Sequence, residues 1–195
     1  MIKTRILLIG VLSVFMILTG CRGKQGTAEF NPNPQSKTSL GTTVSANQSV
    51  IKAPDFTLAK LNGDLFSLNE FSGKVILLNF WGTWCGPCRM EIPDLNILQT
   101  KYQKDGLEIV GITLTSGSPS DIQNFVDNWE MNYTILTDIK NVETQHVVNW
   151  YGRATGRPIT GIPTTFIINR EGKIVKAYVG PRSEEIFYND LKRYL

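Results

Sequence analysis

The stretch that most constrains this chain is Lys74 to Trp81, KVILLNFW, which after its leading lysine is apolar at every position but Asn79. A half-exposed strand alternates polar and apolar residues; a run without alternation is the pattern of a central strand buried on both faces. Helical patterns able to cover those faces follow it. Beyond Pro87 the apolar residues fall at Met90, Ile92, Leu95, Leu98 and Tyr102, with Asp105-Gly106 as a stop and Pro93 placed to kink the helix. Leu107 to Leu114 repeats the buried-strand pattern, Ser118-Pro119-Ser120-Asp121 opens a helix through Trp129, Tyr133 to Leu136 is a strand and Val142 to Tyr151 a helix. Two hairpins bracket this core. Asp55 to Leu58 and Asp64 to Leu68 flank Asn62-Gly63, and Thr164 to Ile168 and Lys173 to Val179 flank Asn169 to Gly172, before a last helix from Ser183 to Tyr194 opened by a Ser183-Glu184-Glu185 cap. The order calls for an α/β fold: a central mixed β-sheet flanked by helices, parallel in its middle, with an N-terminal β-hairpin extension.

The first twenty residues read as something other than fold. Lys3 and Arg5 precede an apolar run, Ile6 to Leu18, that is short for a permanent membrane span. The run ends in Leu18-Thr19-Gly20-Cys21, which resembles a bacterial lipobox, so residues 1–20 are expected to be a lipoprotein signal peptide and Cys21 the lipidated residue. An ordinary secretory signal or a single anchor with an incidental cysteine is the other reading. Each of them puts the rest of the chain outside the cytoplasm, in the cell envelope. Residues 22–50 are rich in Gly, Ser, Thr, Asn, Gln and Pro and too poor in large apolar side chains to offset the entropy of ordering them. Residues 21–50 therefore read as lipidated cysteine plus tether, and 51–195 as one domain. Loss of residues 1–21 would leave 18 basic against 17 acidic side chains, about +1, which gives no basis for nucleic acid as a partner. A monomer is expected.

With Cys21 assigned to the anchor, Cys85 and Cys88 remain as a lone pair. Cys85 ends a buried strand and starts a helix, where free N–H groups and the positive end of the dipole stabilise a thiolate. Cys88 lies one turn further in. Cys85 is the expected nucleophile toward a disulfide and Cys88 the resolving thiol. Pro87 suits the first helical turn, Gly86 keeps the approach open, and Trp81 and Trp84 wall the dithiol. Two other readings stand beside redox chemistry: a structural disulfide, which over so short a loop constrains little, and half a zinc site, which would need soft ligands that one histidine, His146, does not supply.

Trp84-Cys85-Gly86-Pro87-Cys88 resembles the active-site motif of the thioredoxin superfamily, and Gly161-Ile162-Pro163-Thr164 its second signature, with Pro93 at the family's spacing after the second cysteine. The resemblance covers residues 51–195 and implies a thioredoxin-like fold, a cis peptide before Pro163, and a substrate surface made by Trp84, Gly86, Pro87, Ile162 and Pro163. Ala53-Pro54-Asp55-Phe56, Asn79-Phe80-Trp81 and the lipobox resemble the membrane-anchored TlpA/ResA branch, itself related to the AhpC/TSA redoxins. That likeness implies an extracytoplasmic protein-disulfide reductase with no cofactor beyond its Cys85–Cys88 disulfide and no metal. Its implied partners are disulfide-containing extracytoplasmic proteins, apocytochrome c among them in cytochrome c maturation, and a membrane thiol electron donor.

Glu91, three residues after Cys88, matches a glutamate of that branch and would share a helix face with Cys88, moving protons to and from the thiols. A surface glutamate favoured by the helix dipole is the alternative. Asn79 stands where cytoplasmic thioredoxins carry an aspartate, which shifts the proton burden to Glu91 or water. Arg153 to Thr160 forms a connection longer than usual, expected to border the site; Arg153 and Arg157 either select an anionic partner or belong to an unselective solvated loop. Trp129 and Trp150 are expected to fill core or helix–sheet contacts, and His146 to be an ordinary surface or core histidine. A peroxiredoxin-like thiol peroxidase and a metallochaperone on the same scaffold are the competing functions. The first lacks the Thr and Pro positions of a peroxidatic pocket, and the second a Cys-x-x-x-Cys spacing.

Overall fold

The computed structural model describes residues 51–195; the signal peptide, lipidation of Cys21 and tether expected from the sequence lie outside them. Strand β3 (Val75–Trp81) is the middle of the sheet, buried at every position. Its period of two sends Val75, Leu77 and Trp81 into one hydrophobic cluster and Ile76, Leu78 and Phe80 into the other. Both faces are thus covered, as the unbroken apolar run requires.

Around β3 the strands are β1 (Thr57–Lys60), β2 (Leu65–Ser67), β4 (Leu107–Thr113), β5 (Thr134–Thr137), β6 (Thr164–Ile168) and β7 (Ile174–Val179). They form one seven-stranded sheet in the order β2-β1-β5-β4-β3-β6-β7. The pairs β3/β4 and β4/β5 are parallel, while β3/β6, β6/β7, β1/β5 and β1/β2 are antiparallel. Helix α1 (Gly86–Tyr102) and α4 (Glu184–Leu191) pack on the face of Leu77 and Trp81, and α3 (Glu143–Ala154) covers the opposite face through Val147, Val148 and Tyr151. Helix α2 (Pro119–Asn128) opens with Ser118, whose Oγ accepts from Asp121 N while the Asp121 carboxylate accepts from Ser118 N.

Several expectations are corrected. The stripe of α1 that faces the core is Cys88, Glu91 and Ile92, Leu95, Leu98 and Gln99; Met90, placed on it by sequence, is 72 % exposed because two residues of helix rotate it to the far side from Cys88. Ser183 caps α4 by position only. Its third helical residue is Ile186 rather than an acid, and the Glu184 N–H instead donates to Asp94 Oδ1 on α1 at 2.9 Å. A capping box does occur where none was expected, at Ser67 and Glu70, opening a short 3₁₀ turn, Leu68–Phe71. Trp129 and Trp150 are half-exposed: Trp129 stacks on Phe125 at 5.4 Å, and Trp150 lies beside His146 at the surface. Helix α3 runs past Tyr151 to Ala154, so Arg153 is helical and the connection into β6 is shorter than the sequence suggests.

Candidate active site

Cys85 is the N-cap of α1, extended in backbone where β3 has just ended, and it is joined to Cys88 by a disulfide. The Cys88 N–H, one of the helix's free first-turn donors, points at Cys85 Sγ from 3.2 Å. Across the sulfur stands the Ile162 carbonyl oxygen, 3.6 Å away, and the Ile162–Pro163 peptide is cis. Ile162 and Pro163 reach this position because β6 pairs antiparallel with β3, which brings the loop before Thr164 level with Phe80 and the cysteines beyond it. Both sulfurs are nearly buried, while the Trp84 ring beside them is 60 % exposed. That ring is held in place: its Nε1 donates to the carbonyls of Leu114 and Thr115, at 3.3 and 3.1 Å. The Leu114–Ser116 segment is tied in turn by Thr83 N donating to Ser116 Oγ.

Behind the dithiol lies a carboxyl. Asn79 projects to the same face of the sheet as Leu77 and Trp81, the α1 face, and there its Nδ2 donates to Glu91 Oε1 at 2.8 Å and to Thr165 Oγ1 at 2.9 Å. Glu91 Oε2 accepts from the Arg182 N–H at 3.0 Å. Glu91 is 1 % exposed, which rules out the surface-glutamate reading. Burial pushes its carboxyl from an ordinary 4.5 up to about 7, against the lowering pull of the Arg182 N–H, the Asn79 amide and the Arg182 guanidinium. A group poised there exchanges protons near neutral pH.

The sequence pointed to Glu91 but not to the groups that hold it. Thr165 is the register partner of Asn79 across β3 and β6, and Arg182 acts through its main chain, so neither contact has a local sequence signal. A cleft of about 530 Å³ opens at Cys85, lined by Trp84, Gly86, Pro87 and Ile162 and, from α3, by Gln145 and Val148. The α3 residues were not foreseen as site residues. Of the 153–160 segment, Ile159 and Thr160 line this cleft; Arg153 and Arg157 do not. His146 stays at the surface against Trp150.

The AhpC/TSA family profile matches residues 51–177. The chain is similar to the thiol-disulfide oxidoreductase ResA of Geobacillus thermodenitrificans, 36 % identical over 144 residues that cover 73 % of this chain and 74 % of the relative. It is similar as well to the thioredoxin-like protein YneN of Bacillus subtilis, 36 % identical over 69 % of this chain and 73 % of that one. Among solved structures, a thiol:disulfide interchange protein of the thioredoxin family from Chlorobium tepidum superposes with a TM-score of 0.66 at 32 % identity, covering 76 % of this chain and 99 % of its own. The thioredoxin domain of a thiol-disulfide oxidoreductase from Bacteroides vulgatus gives 0.62 at 26 % identity, covering 73 % and 94 %.

Proposed function

The chain belongs to the AhpC/TSA family within the thioredoxin superfamily and is a ResA-like thiol–disulfide oxidoreductase, and from that premise we propose that it works as a membrane-tethered, extracytoplasmic reductase of protein disulfides. The observation that supports this most directly is a cysteine capping a helix at the mouth of an open cleft, with a second cysteine bonded to it from inside and a buried carboxyl one turn further.

In the reduced protein the Cys85 thiolate, stabilised by the Cys88 N–H and the helix terminus, attacks one sulfur of a client disulfide. The client S–S bond breaks, its other sulfur leaves as a thiolate and takes a proton from water, and a Cys85–client mixed disulfide forms. Cys88 then gives its proton to Glu91 and attacks Cys85 Sγ; the Cys85–client bond breaks, the second client sulfur leaves as a thiolate that takes a proton from water, and the Cys85–Cys88 disulfide closes. Two electrons pass to the client. Because the extracytoplasmic space is oxidising, a membrane dithiol donor has to return them. The Gly86-Pro87 dipeptide and Ile162 before Pro163 resemble reducing thioredoxins, which supports this direction.

The tether is residues 21–50, anchored by lipid on Cys21 after removal of residues 1–20; several acyl chains at about 0.8 kcal/mol per buried methylene make the attachment stable. Apocytochrome c is the client class that the likeness to ResA favours. The test of direction is the reduction potential of the Cys85–Cys88 pair equilibrated against dithiothreitol. A value near about −270 mV supports a reductase, and one near about −120 mV reverses the flow and makes the protein a disulfide donor.

A further inference from the structure

Cys85 opens onto a cleft that carries no charged side chain: its walls are Trp84, Leu114, Val148, Ile159 and Ile162, with Thr115, Gln145 and Thr160 as neutral polar groups. The cleft does not end at α3. Val148 and Ile159 also line a second hollow of about 450 Å³, shared with Asn149, Gly152 and Arg153, so the two hollows adjoin across those two side chains as a trough in two parts. Gly152 is what lets the trough form. A Cβ there would stand 3.3 Å from Pro158 Cα and 3.4 Å from the Arg157 carbonyl oxygen, so glycine allows the 156–159 segment to lie against α3. At the sulfur end Trp84 is pinned to the Leu114–Thr115 carbonyls, a rigid exposed aromatic of the kind that anchors a binding partner. At the far end Arg153 is exposed and has no carboxylate partner among the described residues. Gln145 to Arg153 spans eight residues of helix, about 12 Å, which three or four residues of extended chain would cover.

We propose that this trough is the specificity surface for the client: it takes an extended polypeptide with a bulky apolar residue beside the attacked cysteine and an acidic residue three or four positions away, held by Arg153. The inference rests on the oxidoreductase reading and gives it a substrate class. It also separates the two arginines, since Arg157 lines neither part of the trough.

The experiment is reduction, by the full-length reduced protein, of peptides whose single cysteine is capped with 2-mercaptoethanol. They carry Phe or Ser beside the cysteine and Glu or Lys four residues away, and are made in both chain directions. In one direction the Phe/Glu peptide should be reduced about tenfold faster than Ser/Glu. At low salt it should be about threefold faster than Phe/Lys, an advantage lost near 1 M salt. Arg153→Glu should reverse the Glu-over-Lys preference, and Arg157→Glu should not. Equal rates for all peptides overturn the trough and leave the oxidoreductase reading intact. A sedimentation dimer that Arg153→Glu dissociates gives the trough to a second copy of the chain and also overturns it. Failure to reduce any peptide overturns the underlying activity.

Discussion

Glu91 is the residue whose two sequence readings differ most in their consequences. The sequence favoured a carboxyl on the Cys88 face with a surface side chain as the alternative; one turn from Cys88 on the buried stripe it is a sealed carboxyl held by Asn79 and Arg182. Its proton affinity is higher in the folded protein than in the unfolded chain, about 7 against 4.5. The stability this contributes is therefore fully present below about pH 4.5 and is lost as pH rises through about 7, by roughly 3 kcal/mol. Glu91→Gln should flatten the fall in stability between pH 5 and 8, measured by urea denaturation at each pH, and should remove an inflection near pH 7 from the rate at which Cys88 resolves a mixed disulfide. The cysteines are separable by trapping. Cys88→Ser should accumulate a Cys85–client disulfide on non-reducing gels, and Cys85→Ser should give none while leaving the fold intact.

At the scale of elements, the strands and helices were largely legible and their ends were not. The continuous run of β3 and the helical period after Pro87 follow from local pattern, whereas the C-terminus of α3 does not. The sequence pattern ends this helix at Tyr151. In the fold Gly152 lies inside it, and the 156–159 segment packs against the space a Cβ there would fill, a constraint supplied by residues outside the helix. Gly111 on β4 is similar: a Cβ would come within 2.8 Å of Trp81 Nε1 and 3.0 Å of Ile135 Cδ1. Gly111→Ala should cost about 1–3 kcal/mol by overpacking, seen as a lower urea midpoint with an unchanged slope.

At the scale of the whole molecule, one exposed side chain joins distant segments. Arg170, in the β6–β7 turn, donates to the main-chain oxygens of Gly73, Asp105, Tyr194 and Leu195, tying the entry to β3, the turn before β4 and the end of the chain. Arg170→Ala should cost about 2 kcal/mol or more, read as a lowered melting temperature, without changing the reduction potential, since the clamp lies before the start of β3 and the dithiol beyond its end. The proposed anchor is tested at this scale too. Cys21→Ala should move the protein from the membrane to the soluble fraction on centrifugation with activity toward soluble disulfides retained. What the sequence determined by itself was whatever depends on neighbours along the chain: a strand buried on both faces, a helix starting at its end, and two cysteines one turn apart at that junction. What only the tertiary structure decided were the contacts made by residues far apart in sequence. The pairing of β6 with β3 brings Pro163 to Cys85 and Thr165 to Asn79, the packing of α1 on the sheet seals Glu91, and the closeness of α3 to the 156–160 segment shapes the trough. Those contacts depend on the relative placement of whole elements, and local periodicity carries no information about it.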